Sequence, residues 1–183
     1  MPYIIIGAFA VLIFLYFLVT YNGLVALRNK VRNQKSQIDI QLKRRFDLIP
    51  NLIETVKGYA KHEKSTLEDL IKARNTYVTA STDTVQALEA ESALSGALTK
   101  LFALSENYPD LKANATFLNL QKELSDTEQK IAYSRQFYND SVNKLNNSIE
   151  MFPSNVVAGV FRFHQEDFFE VAESEKENVK VAF

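Results

Sequence analysis

From Met1 to Leu27 the chain carries no charged side chain. Within that stretch Tyr3 to Val19, YIIIGAFAVLIFLYFLV, is apolar apart from two tyrosine hydroxyls. With Thr20 and Tyr21 it reaches the roughly 20 residues a helix needs to cross a bilayer. Tyr3, Tyr16 and Tyr21 stand toward its ends, where amphipathic rings favour the membrane interface. A cleaved signal peptide would need a basic residue before the run and a small-x-small site after it, and the sequence has neither. Residues 1–21 are therefore expected to be an uncleaved transmembrane anchor.

The first basic residues are Arg28, Lys30, Arg32 and Lys35, all on the C-terminal side of the span. The positive-inside rule then predicts a single-pass protein with its N-terminus outside and its body in the cytoplasm. The same four residues either meet anionic headgroups or serve only to fix topology.

The apolar phase does not stop at the membrane. Leu24, Leu27, Val31, Ile38, Leu42, Ile49, the pair Leu52/Ile53, Val56 and the pair Tyr59/Ala60 follow one another by threes, fours and sevens, which is one face of a helix. A single helix is expected to leave the bilayer and form a spine over residues 22–62, roughly 60 Å long at 1.5 Å per residue. Pro50 lies inside it. Proline lacks an N–H and clashes with the carbonyl of Phe46, so the reading is a kink within one helix. A fresh start at Pro50 would make Ile49 the N-cap, a poor residue for that position. Lys43-Arg44-Arg45 lies too far along the spine, at about 33 Å, to anchor on headgroups. With Asp47 it reads as a locally paired, solvated face or as a partner contact.

Three further helices follow, over residues 66–80, 84–106 and 116–152. Ser65-Thr66-Leu67-Glu68 and Asp83 with Gln86 have the form of capping boxes. Asn107-Tyr108-Pro109-Asp110 is turn chemistry around a proline. The last helix repeats Phe117, Leu120, Leu124, Thr127, Ile131, Ser134, Tyr138, Val142, Leu145, Ile149 and Phe152 by threes and fours. Beside that seam runs a polar stripe of Asn139, Asn143, Asn146 and Glu150, and the spine has a similar series in Asn22, Asn29, Asn33 and Gln37. Such amides either fix helix register from buried positions or face solvent. Pro153 stops the last helix. A Phe-rich segment, residues 153–172, holds Phe161, Phe163, Phe168 and Phe169, and residues 173–183 read as a charged mobile tail.

The short second helix, near 21 Å, cannot follow the spine all the way down. The lower seam is left bare, and bare apolar surface marks an interaction site. The Phe-rich segment begins at that level, so it is expected to cover the seam, on its own protomer or a neighbour's, or to lie at the lipid interface.

Several stretches carry a resemblance. They are Tyr21-Asn22, Leu27-Arg28, IDIQLKRRFDLIPNLIETVKGYAKHE, Ala73-Arg74, YPDLKAN (Tyr108–Asn114), FLNLQKELSDTEQKIAYSRQFYNDSVNKLN (Phe117–Asn146) and Met151-Phe152-Pro153-Ser154-Asn155. In these the chain resembles the LemA family over almost its whole length. The resemblance implies a membrane-anchored bacterial protein of the cytoplasmic membrane with a soluble four-helix bundle, related in shape to bromodomain-like bundles. It implies no assigned reaction. One branch of the family comprises magnetosome proteins, which points to membrane organisation. Two departures stand out: Gln129-Lys130 where Asn-Arg is usual, and Arg162 between two phenylalanines where a small residue is usual.

The chemistry of an enzyme is not legible here. Across 183 residues of net charge −1 there is no cysteine, and the two histidines, His62 and His164, lie far apart. His62-Glu63 and His164 with Glu166 and Asp167 read as solvated polar residues, not as metal ligands. Glu89 and Glu91 are expected on a wet helix face. No zinc-protease, nucleophile-elbow or P-loop motif occurs, and the balanced charge argues against nucleic acid. No catalytic, cofactor or metal site and no small-molecule substrate is expected. The candidate interaction residues are Arg44, Arg45, Asp47, Pro50, Asn51, Asn139, Asn143, Asn146, Phe161, Phe163, Phe168 and Phe169.

The fold class is thus all-α, an N-terminal transmembrane helix continuing into the kinked spine of an up-and-down four-helix bundle. The expected function is a membrane-anchored, self-associating scaffold of the bacterial envelope that organises or shapes membrane. The alternative is a membrane-anchored adaptor that presents its bundle to another envelope protein, such as a protease or sensor.

Overall fold

A computed structural model describes residues 2–60, 63–79 and 85–169. Every regular element among the described residues is a helix, in the order α1 (Pro2–Lys57), α2 (Lys64–Thr79), α3 (Val85–Ser105), α4 (Pro109–Lys112), α5 (Ala115–Glu150) and α6 (Ser154–Val160). The all-helical class and bundle-like packing are those expected. His62, the Ser81–Thr84 turn with Asp83, and the charged tail at 173–183 lie outside the described residues.

Helix α1 runs 56 residues and passes Pro50 without ending. It stops at Lys57, where a spine to residue 62 was expected. There Tyr59 and Ala60 both donate to the Val56 carbonyl, at 3.0 and 2.9 Å, closing the helix with a turn. Helix α2 begins at Lys64, so Ser65 stands in the first turn and not at the cap. Helix α5 ends at Glu150, two residues before Phe152. Two short helices were not foreseen: α4, one turn with Pro109 at its start and Leu111 buried, and α6 inside the Phe-rich segment.

The chain divides into two compact units. The first, here the anchor unit, comprises Met1–Ile40 and Ile131–Phe169; the second, the bundle unit, comprises Gln41–Lys130 among the described residues.

The bundle unit owes its fold to an apolar cluster drawn from five helices. Ile49, Leu52, Ile53 and Val56 of α1 meet Leu67 and Leu70 of α2, Leu94, Ala97, Leu98 and Leu101 of α3, Leu111 of α4, and Phe117, Leu120 and Leu124 of α5. Ile49, Leu52, Val56 and Leu70 are fully buried. Each contributes about 1.5–3 kcal/mol by leaving water. Phe117 and Phe102 meet edge to face at 6.2 Å. Arg74, in phase with the apolar residues of α2, lays its guanidinium over the Phe46 ring at 4.0 Å.

Among the described residues a charged side chain is buried in this unit. Arg45 is only 3% exposed. It donates to Ser95 Oγ at 2.9 Å and pairs with Glu91 at 4.0 Å and Glu128 at 3.6 Å. This corrects the reading of Lys43-Arg44-Arg45 as one solvated face: Arg45 follows the inward phase of Leu42 and Ile49 and points into the unit. It also corrects the wet-face reading of Glu91, whose side chain is 12% exposed because it answers that guanidinium. Glu89 is exposed, as expected.

The connection from α3 to α5 is pinned by side chains. Tyr108 donates its hydroxyl proton to Glu63 Oε1 at 2.9 Å. That bond, with partial desolvation and the carboxylate's charge, holds the phenol above its ordinary value of 10.0. Asn114 donates to the Tyr59 hydroxyl at 2.9 Å and accepts from the Phe117 N–H at 3.0 Å. The second bond satisfies one of the orphan donors at the start of α5.

Candidate functional site

The anchor unit holds the features that point to function. The apolar part of α1 is long and apolar enough to cross a membrane: its best window has a mean hydropathy of 2.6, and none of that window is buried. A core helix of a soluble protein would hide these side chains. Here Tyr3, Ile4, Ile5, Ile6, Phe9, Leu12, Phe14 and Val19 all stand in the open.

Burial begins at Leu24 and recurs at Val31 and Ile38, at intervals of seven residues. Helix α5 answers with Ile131, Tyr138 and Leu145 at the same interval, and with Val142 between the last two. This unit contains no residue of α2 or α3. Two helices alone cannot enclose a seam, and the C-terminal segment supplies the third wall.

That segment leaves α5 through Met151, Phe152 and Pro153 and enters α6, which buries Val157 and Ala158. The helix ends in a tight reversal. Phe163 N–H bonds back to the Ala158 carbonyl at 2.9 Å, and Arg162 N–H to the Gly159 carbonyl at 3.2 Å. This is the Schellman pattern, which needs a left-handed residue one place past the cap. Arg162 fills that place with φ 55°. Glycine is the usual choice there because a Cβ is penalised, which explains why an arginine between two phenylalanines looked out of place. The reversal turns Phe163 inward, to 9% exposure. Its ring meets Tyr21 at 5.9 Å and lies under the Arg28 guanidinium at 5.2 Å. Phe161 also lies against Tyr21, its ring tilted by 53° at 4.6 Å.

Residues 164–169 have no helical structure and run along α5. Asn146 and Glu166 exchange two bonds: Asn146 Nδ2 donates to the Glu166 carbonyl at 2.9 Å, and Glu166 N–H donates to Asn146 Oδ1 at 3.0 Å. Asn139 and Phe169 repeat the exchange at 3.2 and 2.8 Å. Between them the Tyr138 hydroxyl donates to the Asp167 carbonyl at 3.1 Å. The registers agree on elementary grounds. Asn139 to Asn146 is two turns of helix, roughly 10.5 Å, and Glu166 to Phe169 is three extended residues, roughly 10 Å. A side-chain amide offers one donor and one acceptor, the same pair that a backbone presents. Each asparagine thus satisfies a residue that has no secondary-structure partner. Phe169 is further held by the Tyr138 ring at 6.3 Å and the Arg135 guanidinium at 4.6 Å.

Most of the other candidate residues fall elsewhere. Asn143 faces out and accepts from Asn147, and Phe168 is 50% exposed. The spine amides Asn22, Asn29, Asn33 and Gln37 are all exposed. Arg28 turns inward onto Phe163, and Lys30 edges an open groove of about 370 Å³ shared with Gln34, Phe137, Asp140, Ser141 and Lys144. Arg32 is exposed and Lys35 half-buried. Tyr16 is 39% exposed. In the bundle unit Arg44 pairs with Glu123 at 3.3 Å and Asp47 with Lys43 at 3.8 Å, all four exposed. Pro50 is half-buried and Asn51 exposed, with its carbonyl taken by the Thr55 hydroxyl. Sequence reasoning missed the burial of Arg45; its place in the phase of the buried spine residues was the available signal. Among the described residues no group of three His, Asp or Glu is placed to hold a metal ion.

The model of the LemA family matches residues 34–183. The chain belongs to the LemA family. The match covers the C-terminal part of α1 and every later element, including the clamped segment. Protein LemA of Metamycoplasma hominis is 27% identical over 158 residues, covering 86% of this LemA-family chain and 72% of the relative. Magnetosome protein MamQ 2 of Paramagnetospirillum magneticum is 24% identical over 178 residues, covering 84% of this chain. Magnetosome protein MamQ of Magnetospirillum gryphiswaldense is 23% identical over 177 residues, covering 83%. The chain spans 65% of the length of each of these two MamQ proteins.

Proposed function

We propose that this LemA-family protein is a membrane-anchored, self-associating helical scaffold of the bacterial envelope. The observation that carries the reading is the unburied, charge-free part of α1, which continues as the same helix into packed structure. A helix that runs unbroken from the apolar span to the buried Leu24, Val31 and Ile38 ties the anchor unit directly to the bilayer. Likeness to two magnetosome proteins supports a role at membranes. Arg28, Lys30, Arg32 and Lys35 follow the apolar run, which favours a cytoplasmic body and an external N-terminus. Protease added to intact cells would then leave the body uncut, and rapid digestion would reverse the orientation.

Self-association is supported by apolar side chains in the anchor unit that stand exposed among the described residues. Ile40 is 51% exposed, Tyr133 60% and Phe137 56%, the last two one turn apart on α5. Large exposed rings at such spacing suit a helix-to-helix contact between copies. The test is particle size in mild detergent. Wild-type protein is expected as large assemblies, and the Tyr133→Glu, Phe137→Glu double variant as small species. Small species in the wild type would favour an adaptor for another envelope protein.

A further inference from the structure

We infer that α6 and the turn before it form a second lipid contact, seated in the membrane interface beside the point where α1 leaves the bilayer. This rests on the reading of α1 as a membrane anchor. Helix α6 is two-sided. Val157 and Ala158 are buried against the anchor unit, while Val156 is 48% exposed and Val160 63%. The residues flanking it continue the outer face: Met151 is 62% exposed, Phe152 80% and Phe161 49%. Five large apolar side chains within 11 residues therefore point away from the protein. A solvated turn does not need them, and a contiguous apolar surface of this kind marks an interaction site.

Its position identifies the occupant. Phe161 lies against Tyr21 at 4.6 Å. Tyr21 closes the apolar run, at the depth where a tyrosine ring sits between acyl chains and headgroups. Any group packed on Tyr21 from the side shares that depth. The outward residues of α6 thus continue the lipid-facing surface of α1 sideways. A short apolar face of this kind, held in the interface plane by a rigid scaffold, is the geometry of a monotopic contact. Arg162 is exposed at the end of α6, where a guanidinium can reach headgroups while the neighbouring rings lie deeper. The Schellman reversal at Arg162 and the two asparagine clamps fix the segment that carries this face. The consequence is a protein that grips the bilayer at two points and so resists rotation about the α1 axis.

The chain has no tryptophan, so single tryptophans report position cleanly. Full-length Phe14→Trp, Phe152→Trp and Tyr133→Trp proteins would each be reconstituted in dioleoylphosphatidylcholine vesicles, with and without dibrominated acyl chains. All three positions are exposed, so the substitutions leave the packing intact. Phe14→Trp and Phe152→Trp are expected to lose about half their emission in brominated lipid, and Tyr133→Trp to keep it. If Phe14→Trp is quenched and Phe152→Trp is not, the second contact is refuted while the anchor stands. If neither is quenched, the anchor reading itself falls. Emission from Phe152→Trp that is blue-shifted yet quenched by neither bromine nor aqueous iodide would place a second copy on this face and overturn the lipid contact.

Discussion

The two units of this chain solve the same problem with different materials. The bundle unit has four long helical segments to pack, and it closes around a cluster of aliphatic side chains with Phe117 among them. The anchor unit has only parts of α1 and α5 and a C-terminal segment without regular structure beyond α6. Its apolar side chains are largely on the outside. What closes it is a line of polar contacts and rings: two asparagine exchanges, one tyrosine hydroxyl, and aromatic pairs around Tyr21 and Tyr138. A helix brings its own hydrogen bonds, so helices need only apolar faces to associate. An extended segment laid on a helix brings unpaired N–H and C=O groups, and side chains must satisfy them.

This difference can be broken most severely at the guanidinium that the bundle unit buries. Arg45→Ala removes the buried guanidinium that bonds Ser95 and pairs with Glu91 and Glu128, and is expected to cost about 3 kcal/mol. Arg45→Met keeps volume and should cost less, because a hydrophobic group of similar size often replaces a buried ion with little loss. Urea unfolding of both variants checks the order. An Arg45→Ala protein as stable as wild type would show that the pair contributes nothing.

The anchor unit should instead fail at its clamps. Asn146→Asp keeps the acceptor for Glu166 N–H but replaces the donor with a second oxygen facing the Glu166 carbonyl. Losing that bond and leaving the groups unmatched is expected to cost about 2 kcal/mol. The effect is local: hydrogen exchange at Glu166 and Phe169 should quicken roughly 30-fold, at about 1.4 kcal/mol per tenfold, while amides of the bundle unit keep their rates. Uniform acceleration would mean that the clamp is not a separate device.

A smaller change should strengthen the anchor unit. Arg162 sits at φ 55°, where a side chain costs about 1 kcal/mol relative to glycine. Arg162→Gly is therefore expected to slow exchange at Phe163 N–H severalfold. Acceleration there would show that the arginine holds the reversal by contacts of its own.

The smallest effect is a dependence on pH in the bundle unit. Tyr108 has a raised pKa because it donates to Glu63. The folded state keeps the proton longer than the unfolded state does. The contribution is thus fully present below the ordinary value of 10.0 and is lost as pH rises through the raised folded value. Tyr108→Phe should flatten the stability profile above about pH 10, and an unchanged profile would remove Tyr108 from the account of alkaline unfolding.

How much of this was legible follows from what each kind of contact leaves in a sequence. Apolar periodicity announced the long helices, because burial on one face repeats every three or four residues. Leu24, Val31 and Ile38 were all in the expected phase. Arg45 fell in the same phase and was still read as surface, since its partners Ser95, Glu91 and Glu128 come from other helices and no local spacing links them. The stripe of Asn139, Asn143 and Asn146 was visible, but not its purpose. Two of its members bind backbone, and backbone carries no sequence signal. The Schellman turn was hidden for a related reason: it is written in glycine elsewhere and in Arg162 here. Helix α6 is seven residues long, too short for a period to declare itself.

The central claim is that the open apolar part of α1 belongs in a bilayer and holds the rest of the chain there. Extraction of membranes containing the full-length protein with alkaline carbonate tests it most directly. A spanning helix stays with the lipid under conditions that strip proteins bound only at the surface, so the protein is expected in the pellet. Its release into the supernatant would contradict the claim, and with it the reading of residues 1–21 as an anchor.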